Sequence, residues 1–223
     1  MTKFGVIIFP GSNCDLDAIY VIENIVKRKV LKIWHKDRSL PDIDCIIIPG
    51  GFSFGDYLRP GAIASHSPIM KPIKEFSRNG GLILGICNGF QILTEANILP
   101  GVMLRNISTR FISKKVKLKV LNNNTPFTNL FSKNEIIELP IAHKDGNYYA
   151  PLEMIDELKT KNRLIFSYCE NPNGSVEDIA GILNEEGNVL GMMPHPERAY
   201  EGLLGLELGR KIFESIVNYL ENR

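Results

Sequence analysis

Cys87 lies in a pattern that is typical of an activated nucleophile. The apolar run from Leu82 to Ile86 predicts a buried strand, and the apolar residues after Cys87 have helical spacing. Gly85 and Gly89 stand two residues to either side, as in the Gly-x-nucleophile-x-Gly turn that joins a strand to a helix. The side chain at such a turn projects from the end of the sheet, and the positive end of the helix dipole favours a thiolate. We therefore predict an enzyme with a cysteine nucleophile.

A cysteine nucleophile needs a base, and the base needs a group that orients it. Among the four histidines, His195 is followed by a proline that favours an extended backbone, so Glu197 lies on the same side of the chain. Glu197 can then accept a hydrogen bond from one ring nitrogen while the other faces Cys87. Alone, this segment also fits a surface turn, but together with the cysteine turn it predicts a catalytic triad. His35, at a strand end, and His66, in a loop, are interpreted as structural or solvated.

An acyl-transfer centre also needs N–H donors for an oxyanion. The N–H of Asn88 follows the nucleophile directly, and the loop Pro49-Gly50-Gly51 can supply the second donor, which we assign to Gly51. Glycine suits this position because the backbone must approach the substrate closely. By spacing alone, the same loop fits an ordinary turn at the exit of a strand equally well.

These residues require a scaffold that brings strand ends together. Apolar strands alternate with amphipathic helices in the first half, which predicts an α/β fold with a mostly parallel central sheet flanked by helices. Ligands of such sheets bind at the carboxyl ends of the strands. The predicted strands are Phe4–Phe9, Val30–Trp34, Asp44–Ile48 and Leu82–Ile86, and the predicted helices run from about Leu16 to Val26 and from Pro68 to Arg78.

The second half of the chain lacks this regular alternation of strands and helices. Short alternating segments between Ile107 and Tyr168 predict a small antiparallel excursion, and the segments Val176–Leu183 and Val189–Met193 predict a hairpin. A final helix carries an apolar face of Phe213, Ile216, Val217 and Leu220. With no internal repeat, we expect residues 1–223 to form a single domain.

The composition excludes several classes of protein. The formal net charge of the 223 residues is +1, and the basic run Lys114, Lys115, Lys117 and Lys119 alternates with apolar residues, which favours the solvent face of a strand over a nucleic-acid site. We find no run of about 20 apolar residues for a membrane span and no layout of a signal peptide, so we expect a cytoplasmic protein. Cys14, Cys45 and Cys169 form no Cys-x-x-Cys pair and are interpreted as small apolar fillers, with no metal bound.

The triad segments, in this order, resemble class I (triad-type) glutamine amidotransferases over nearly the whole chain. Within that family the chain is similar to the glutaminase subunits of phosphoribosylformylglycinamidine synthases. Phe54 and Pro60 stand where those subunits often have tyrosine and alanine. Six blocks carry the narrower resemblance: residues 50–61, Cys87-Asn88-Gly89-Phe90-Gln91, Arg105-Asn106-x-Ser108-x-Arg110-Phe111, Pro140-Ile141-Ala142-His143, residues 171–175, and residues 193–198.

The resemblance implies that glutamine is hydrolysed through a thioester on Cys87, with His195 as the acid and base and Glu197 as its orienting group. The ammonia would pass to a synthetase subunit that uses ATP and Mg to make formylglycinamidine ribonucleotide in purine synthesis. It also implies a glutamine site at Gly50, Gly51, Phe52, Ser53, Gln91, Asn106, Ser108, Arg110 and Phe111. Arg105 and His143 would face the partner or the ammonia exit, although His143 also fits an ordinary loop histidine.

No phosphate-binding loop occurs in this chain, so we expect no cofactor here. The resemblance to free-standing glutaminases also implies a small accessory subunit beside the synthetase, and the charge pattern predicts no nucleic-acid partner. We also expect weak glutaminase activity without the partner.

Three alternative functions remain: an amidotransferase that serves another synthetase, a different cysteine hydrolase such as a peptidase or deglycase-like protein, and a silent scaffold subunit. The long loop from Gly50 to Gly61 disfavours the first, His195 and Glu197 disfavour the second, and an intact triad disfavours the third.

Overall fold

The computed structural model describes residues 1–202 and 206–222. The strands are β1 (Lys3–Ile8), β2 (Lys29–Trp34), β3 (Cys45–Ile48), β4 (Leu82–Ile86), β5 (Val102–Leu104), β6 (Ile112–Val120), β7 (Ile136–His143), β8 (Asn147–Tyr149), β9 (Leu164–Tyr168), β10 (Ile179–Leu183) and β11 (Val189–Met192). The α-helices are α1 (Asp15–Tyr20), α2 (Met70–Arg78), α3 (Asn88–Glu95), α4 (Leu152–Thr160) and α5 (Arg210–Glu221).

Within the described residues, nine strands form one sheet in the order β2-β1-β3-β4-β11-β10-β9-β6-β7, and β5 pairs with β8 separately. Neighbours from β2 to β11 are parallel. Every residue of β3 and β4 is buried, as expected for strands that are covered on both faces. The predicted mostly parallel α/β fold is therefore confirmed, and the carboxyl ends of β1, β3, β4 and β11 meet along one edge of the sheet.

The predicted antiparallel excursion is also confirmed, and its last strand, β7, ends at the same edge of the sheet as β4 and β11. Strands β10, β9, β6 and β7 pair antiparallel with one another, so β7 runs in the same direction as β4 and β11. Although β7 is the far strand of the sheet, the Pro140 carbonyl accepts a hydrogen bond of 2.9 Å from the His195 N–H. The last strand thus closes against the segment that follows β11.

Several elements differ from the prediction. The helix expected over residues 16–26 ends as α1 at Tyr20 and continues as a π-helical segment, Val21–Ile25, and the first residues of the expected strand 176–183 form a 3₁₀ turn. Helix α4 lies inside the predicted antiparallel excursion, where no helix was expected.

The predicted solvent face of β6 is confirmed, because its lysines are exposed while Val116, Leu118 and Val120 are buried. Cys45 is a buried filler as predicted, but that prediction is wrong for Cys169, whose side chain is exposed at the end of β9. Among the described residues, no helix combines the length and the apolar character that crossing a membrane requires.

Candidate active site

Cys87 occupies a strained turn between β4 and α3. Its backbone has φ of +50° and ψ of −104°, a conformation that L residues rarely adopt and that is retained where the surroundings fix it. The carbonyl of Cys87 accepts hydrogen bonds from the Phe90 and Gln91 N–H groups, so the helix starts immediately after the sulfur. Gly89 is required here because a Cβ at this position would overlap the carbonyl oxygen of Ile48 on the neighbouring strand.

His195 follows β11, the strand beside β4, with the extended backbone that its proline neighbour favours (φ −102°, ψ 92°). Its Nδ1 lies 2.6 Å from Oε1 of Glu197, and both side chains are buried. Nε2 makes no hydrogen bond to a described residue, which leaves it available for proton exchange. Burial lowers the pKa of His195, but Glu197 and then Cys87 raise it more, so the pKa lies well above its usual value. The site therefore favours an imidazolium beside the cysteine sulfur.

Cys87 and His195 line a cavity of about 170 Å³. It is lined by Asn13, Cys14, Gly51, Phe52, Cys87, Phe111, Ala142, His195 and Arg198. The sulfur of Cys87 lies 3.8 Å from the carbonyl oxygen of Ala142 at the end of β7. Strand ends from four parts of the sheet thus enclose the nucleophile.

Of the two predicted oxyanion donors, Gly51 lines the same cavity as Cys87, and Asn88 follows Cys87 directly in the chain. The N–H groups of Gly51 and Asn88 donate to no other described residue. Gly51 has φ of +144°, which glycine alone adopts without strain, and a Cβ there would lie 2.8 Å from the Asn13 nitrogen. Both backbone donors are therefore free to bind a developing negative charge.

Eight of the nine predicted glutamine-binding residues, all except Asn106, separate into three groups. Gly51, Phe52 and Phe111 line the cavity, and the rings of the two phenylalanines lie 6.4 Å apart. Gly50, Ser53 and Gln91 are buried behind it. Ser108 and Arg110 are exposed on the loop before β6 and are not among the residues that line the cavity.

Gln91 and Ser53 are tied to the framework of the site. Gln91 accepts a hydrogen bond of 2.9 Å from the Asn88 side chain and donates one of 2.6 Å to the Asp145 carbonyl. The Asn88 side chain also accepts from the Ser53 N–H at 3.1 Å. Asn88 is thus held on both sides, which fixes the position of its backbone N–H next to Cys87.

The structure corrects the prediction for Asn106, which is buried rather than in contact with the cavity. Its amide nitrogen donates to the carbonyls of Arg110 and His143, so its oxygen faces the His143 Nδ1 at 3.1 Å and accepts from the Gly146 N–H. Both ends of the amide are thereby used to hold the loops behind the cavity.

His143 is 3% exposed and cannot contact a docked protein in this arrangement, so that part of its prediction is wrong, whereas its place at the ammonia exit stays a prediction. Arg105 is exposed. Burial and then the charge of His195 lower the pKa of His143 to about 4, so the ring is neutral near pH 7. Because Asn106 offers its oxygen to Nδ1, that nitrogen carries the proton and Nε2 is an acceptor, which has no described partner.

Four residues that line the cavity were not predicted as site residues: Asn13, Cys14, Ala142 and Arg198. The interpretation of Cys14 as an apolar filler is wrong, because its sulfur accepts a hydrogen bond of 3.1 Å from the Arg198 guanidinium. Cys14 follows β1, so its place at the strand edge was the available signal. Ligand-type atoms of Cys14, His195 and Glu197 lie within 4.8 Å of one another, but the positive charge of Arg198 opposes a metal cation there.

A larger cavity of about 440 Å³ lies at the other end of β4 and β11, lined by Leu82, Arg163, Asn188 and neighbouring residues. It contains neither the cysteine nor a histidine. Cavity size therefore does not locate the reactive centre, whereas the strained turn and the histidine–glutamate pair do.

Comparison with known proteins first identifies the class of protein. The sequence profile of the CobB/CobQ-like glutamine amidotransferase domain matches residues 1–207, so the chain is a glutamine amidotransferase. A putative GMP synthase subunit from Thermoplasma acidophilum has a similar fold at 18% identity, with a TM-score of 0.67 over 100% of this chain and 97% of that chain.

Closer relatives narrow the assignment. The phosphoribosylformylglycinamidine synthase subunit PurQ of Alkaliphilus metalliredigens is 53% identical, over 98% of this chain and 97% of the relative. The protein of the same name from Moorella thermoacetica is 54% identical, with the same coverage of both chains. A chain in the structure of PurLQS from Thermotoga maritima is 49% identical, with a TM-score of 0.92 over 98% of this chain and 99% of that one. The chain belongs to the PurQ family, the glutaminase subunits of phosphoribosylformylglycinamidine synthase.

Proposed function

We propose that this chain hydrolyses glutamine through a thioester on Cys87. The sulfur attacks the side-chain amide carbon, and the carbonyl oxygen takes up negative charge between the N–H groups of Gly51 and Asn88. The imidazolium of His195 gives its proton to the leaving nitrogen, and ammonia departs. The neutral ring then takes a proton from water, which attacks the thioester and releases glutamate.

The observation that carries this proposal is the pairing of a strained nucleophile turn with a buried histidine–carboxylate contact on one cavity. The Glu197 carboxylate at 2.6 Å from Nδ1 holds the ring in one tautomer and stabilises its protonated form. The exposed rings of Phe52 and Phe111 flank the cavity and can cover the aliphatic part of glutamine.

We further propose that the ammonia is used by a synthetase subunit that binds ATP and Mg and converts formylglycinamide ribonucleotide into formylglycinamidine ribonucleotide. The name of the Thermotoga maritima complex, PurLQS, supports an assembly of several subunits. We place a small accessory subunit among the partners of this chain. The four cysteines are free thiols, which supports a reducing compartment such as the cytoplasm.

Exposed apolar side chains on the loops around the cavity support a docking surface for the synthetase. Tyr57 is 74%, Leu58 88% and Ile107 79% exposed. Tyr57 and Leu58 are on the loop that follows Gly51 and Phe52, and Ile107 lies four residues before Phe111, so these side chains are on loops that reach the cavity. Exposed apolar groups on such loops are typical of an interaction surface. A synthetase docked there would cover the cavity mouth and prevent ammonia from escaping to water.

The first test is labelling with a diazo-ketone analogue of glutamine, with the adduct located by mass spectrometry. We expect an adduct on Cys87 that forms faster with the synthetase subunit present, and none on the exposed thiol Cys169. An adduct that no synthetase accelerates would retain the glutaminase chemistry but contradict this partner. Absence of an adduct on Cys87 in both conditions would refute the proposed reaction.

A second test concerns the docking surface. Leu58→Asp should reduce the stimulation of glutamate release by the synthetase, because a charge would be buried at the interface. Leu152→Asp is a matched control, since Leu152 is 75% exposed at the start of α4. Equal stimulation of the two variants would contradict the proposed surface.

A further inference from the structure

Cys14 is a second thiol beside the catalytic histidine. It follows β1 and is buried, yet its side chain lines the same cavity as Cys87. Its N–H donates to the Gly50 carbonyl at 3.3 Å, which ties this loop to the end of β3. The proposed reaction gives this sulfur no role.

The sulfur lies beside one edge of the His195 ring, within 4.8 Å of a ring nitrogen. A Cβ added at Gly50 would lie 2.7 Å from the ring Cε1, 3.3 Å from Nδ1 and 3.1 Å from the sulfur of Cys14. The sulfur and the Cε1–Nδ1 edge therefore border one small space, which glycine leaves open. Since Glu197 holds Nδ1, the sulfur is a second contact that limits rotation of the ring.

Arg198 fixes the sulfur in turn. Its Nη2 donates to the Cys14 sulfur at 3.1 Å, and its Nε donates to Asp17 Oδ2 on α1 at 3.0 Å. A guanidinium that is bound at two points is a rigid donor. Arg198 lies three residues after His195, so the segment that carries the base also carries the group that fixes its neighbour.

We infer that Cys14, held by Arg198, is a positioning residue that keeps the His195 ring oriented toward Cys87 and does not itself react with substrate. This inference rests on the proposed function. Burial raises the pKa of the Cys14 thiol, so the sulfur stays protonated near pH 7 and is a poor nucleophile.

The groups that face His195 determine what the pH profile can report. They are Glu197 on its own segment, Cys87 after β4, Cys14 after β1 and His143 at the end of β7, with Arg198 and Asp17 behind Cys14. Cys14 is one of the groups that raise the pKa of His195. Its removal should therefore move the alkaline limb of the pH–rate profile, where His195 loses the proton that it gives to the leaving nitrogen, to lower pH.

The test compares Cys14→Ala, Cys14→Ser and Arg198→Met in the complex with the synthetase. Misplacing a base costs catalytic rate, so we expect Cys14→Ala to lower kcat about tenfold with little change in the KM for glutamine. Serine should restore part of the rate because its hydroxyl can still accept from Arg198. Arg198→Met should lower kcat in the same direction, since the sulfur is then no longer fixed.

Cys45→Ala is the matched control, because it removes a buried thiol in β3 that contacts no group of the triad. It should lower the melting temperature without shifting the pH profile. Wild-type kcat and pH profile in Cys14→Ala, or the same loss in Cys45→Ala, would overturn the positioning role. An adduct of the diazo-ketone on Cys14 would overturn it as well. Failure of the wild-type chain to label at Cys87 would instead refute the proposed function.

Discussion

Replacing Glu197 by glutamine removes the charge that holds His195 but nearly preserves the shape of the side chain. Glu197 is fully buried, and its Oε1 lies 2.6 Å from Nδ1 of the ring. Hydrogen bonds to charged groups contribute about 1.5–3 kcal/mol. Because about 1.4 kcal/mol corresponds to a factor of ten, we expect kcat/KM to fall by about 10- to 150-fold.

The same substitution should shift the pH profile in a defined direction. Burial lowers the pKa of His195, and Glu197 is the first of the groups that raise it. Without the carboxylate the pKa falls, so the alkaline limb of the rate, where His195 loses the proton that it gives to the leaving nitrogen, should move to lower pH. Folding should be little affected, because Oε2 of Glu197 is buried without a described partner and the charge itself is costly to bury.

The measurement is glutamate release by the complex from pH 5 to 9, with melting temperatures recorded in parallel. Glu185→Gln serves as a control, since Glu185 is an exposed residue in the turn between β10 and β11. A loss of less than threefold in Glu197→Gln, with an unshifted profile, would refute the assignment of Glu197 as the orienting group.

Three further substitutions have definite expected outcomes. Gly89→Ala should lower the free energy of unfolding by at least ~1 kcal/mol, measured by urea unfolding, because the new Cβ overlaps the Ile48 carbonyl. Asp56→Asn should raise the melting temperature at pH 7.5 but not at pH 4. Burial and then Asp145 raise the pKa of Asp56 to about 6. Its ionisation in the folded state therefore opposes folding increasingly from about pH 4 to 6, and asparagine removes that cost. Phe111→Ala should raise the KM for glutamine more than it lowers kcat, because the ring lines the cavity without touching the triad; an unchanged KM would argue against that role.

The parallel half of the fold could be predicted because strands that are buried on both faces have a simple apolar pattern in the sequence. Strands β3 and β4 are continuous apolar runs, and all their residues are buried. Helix α4 was not predicted, because its buried face is short: only Ile155 and Leu158 are buried in nine residues. The change from α- to π-helix at Val21 also leaves no signal in hydrophobic spacing.

The triad segments could be predicted because each carries its own local chemistry. The glycines around Cys87 indicate the turn, and an extended backbone is enough to bring Glu197 beside His195. The contact of Cys14 with Arg198 joins residues 184 positions apart and follows from the pairing of β1, β3, β4 and β11, so no local pattern reveals it.

The buried polar cluster behind the cavity shows why motif resemblance alone misassigns roles. Asn106 comes from one block that the resemblance singled out, Asn173 and Ser175 come from another, and all three bond to the backbone of Gly146. Such a network costs stability unless every member is satisfied, so its residue types are as constrained as those of a substrate site. A match to the family's residue pattern is therefore expected both for residues that line the cavity and for residues of the buried network. Only their positions separate the residues that form the cavity from those that hold its wall, and Asn106 belongs to the second group.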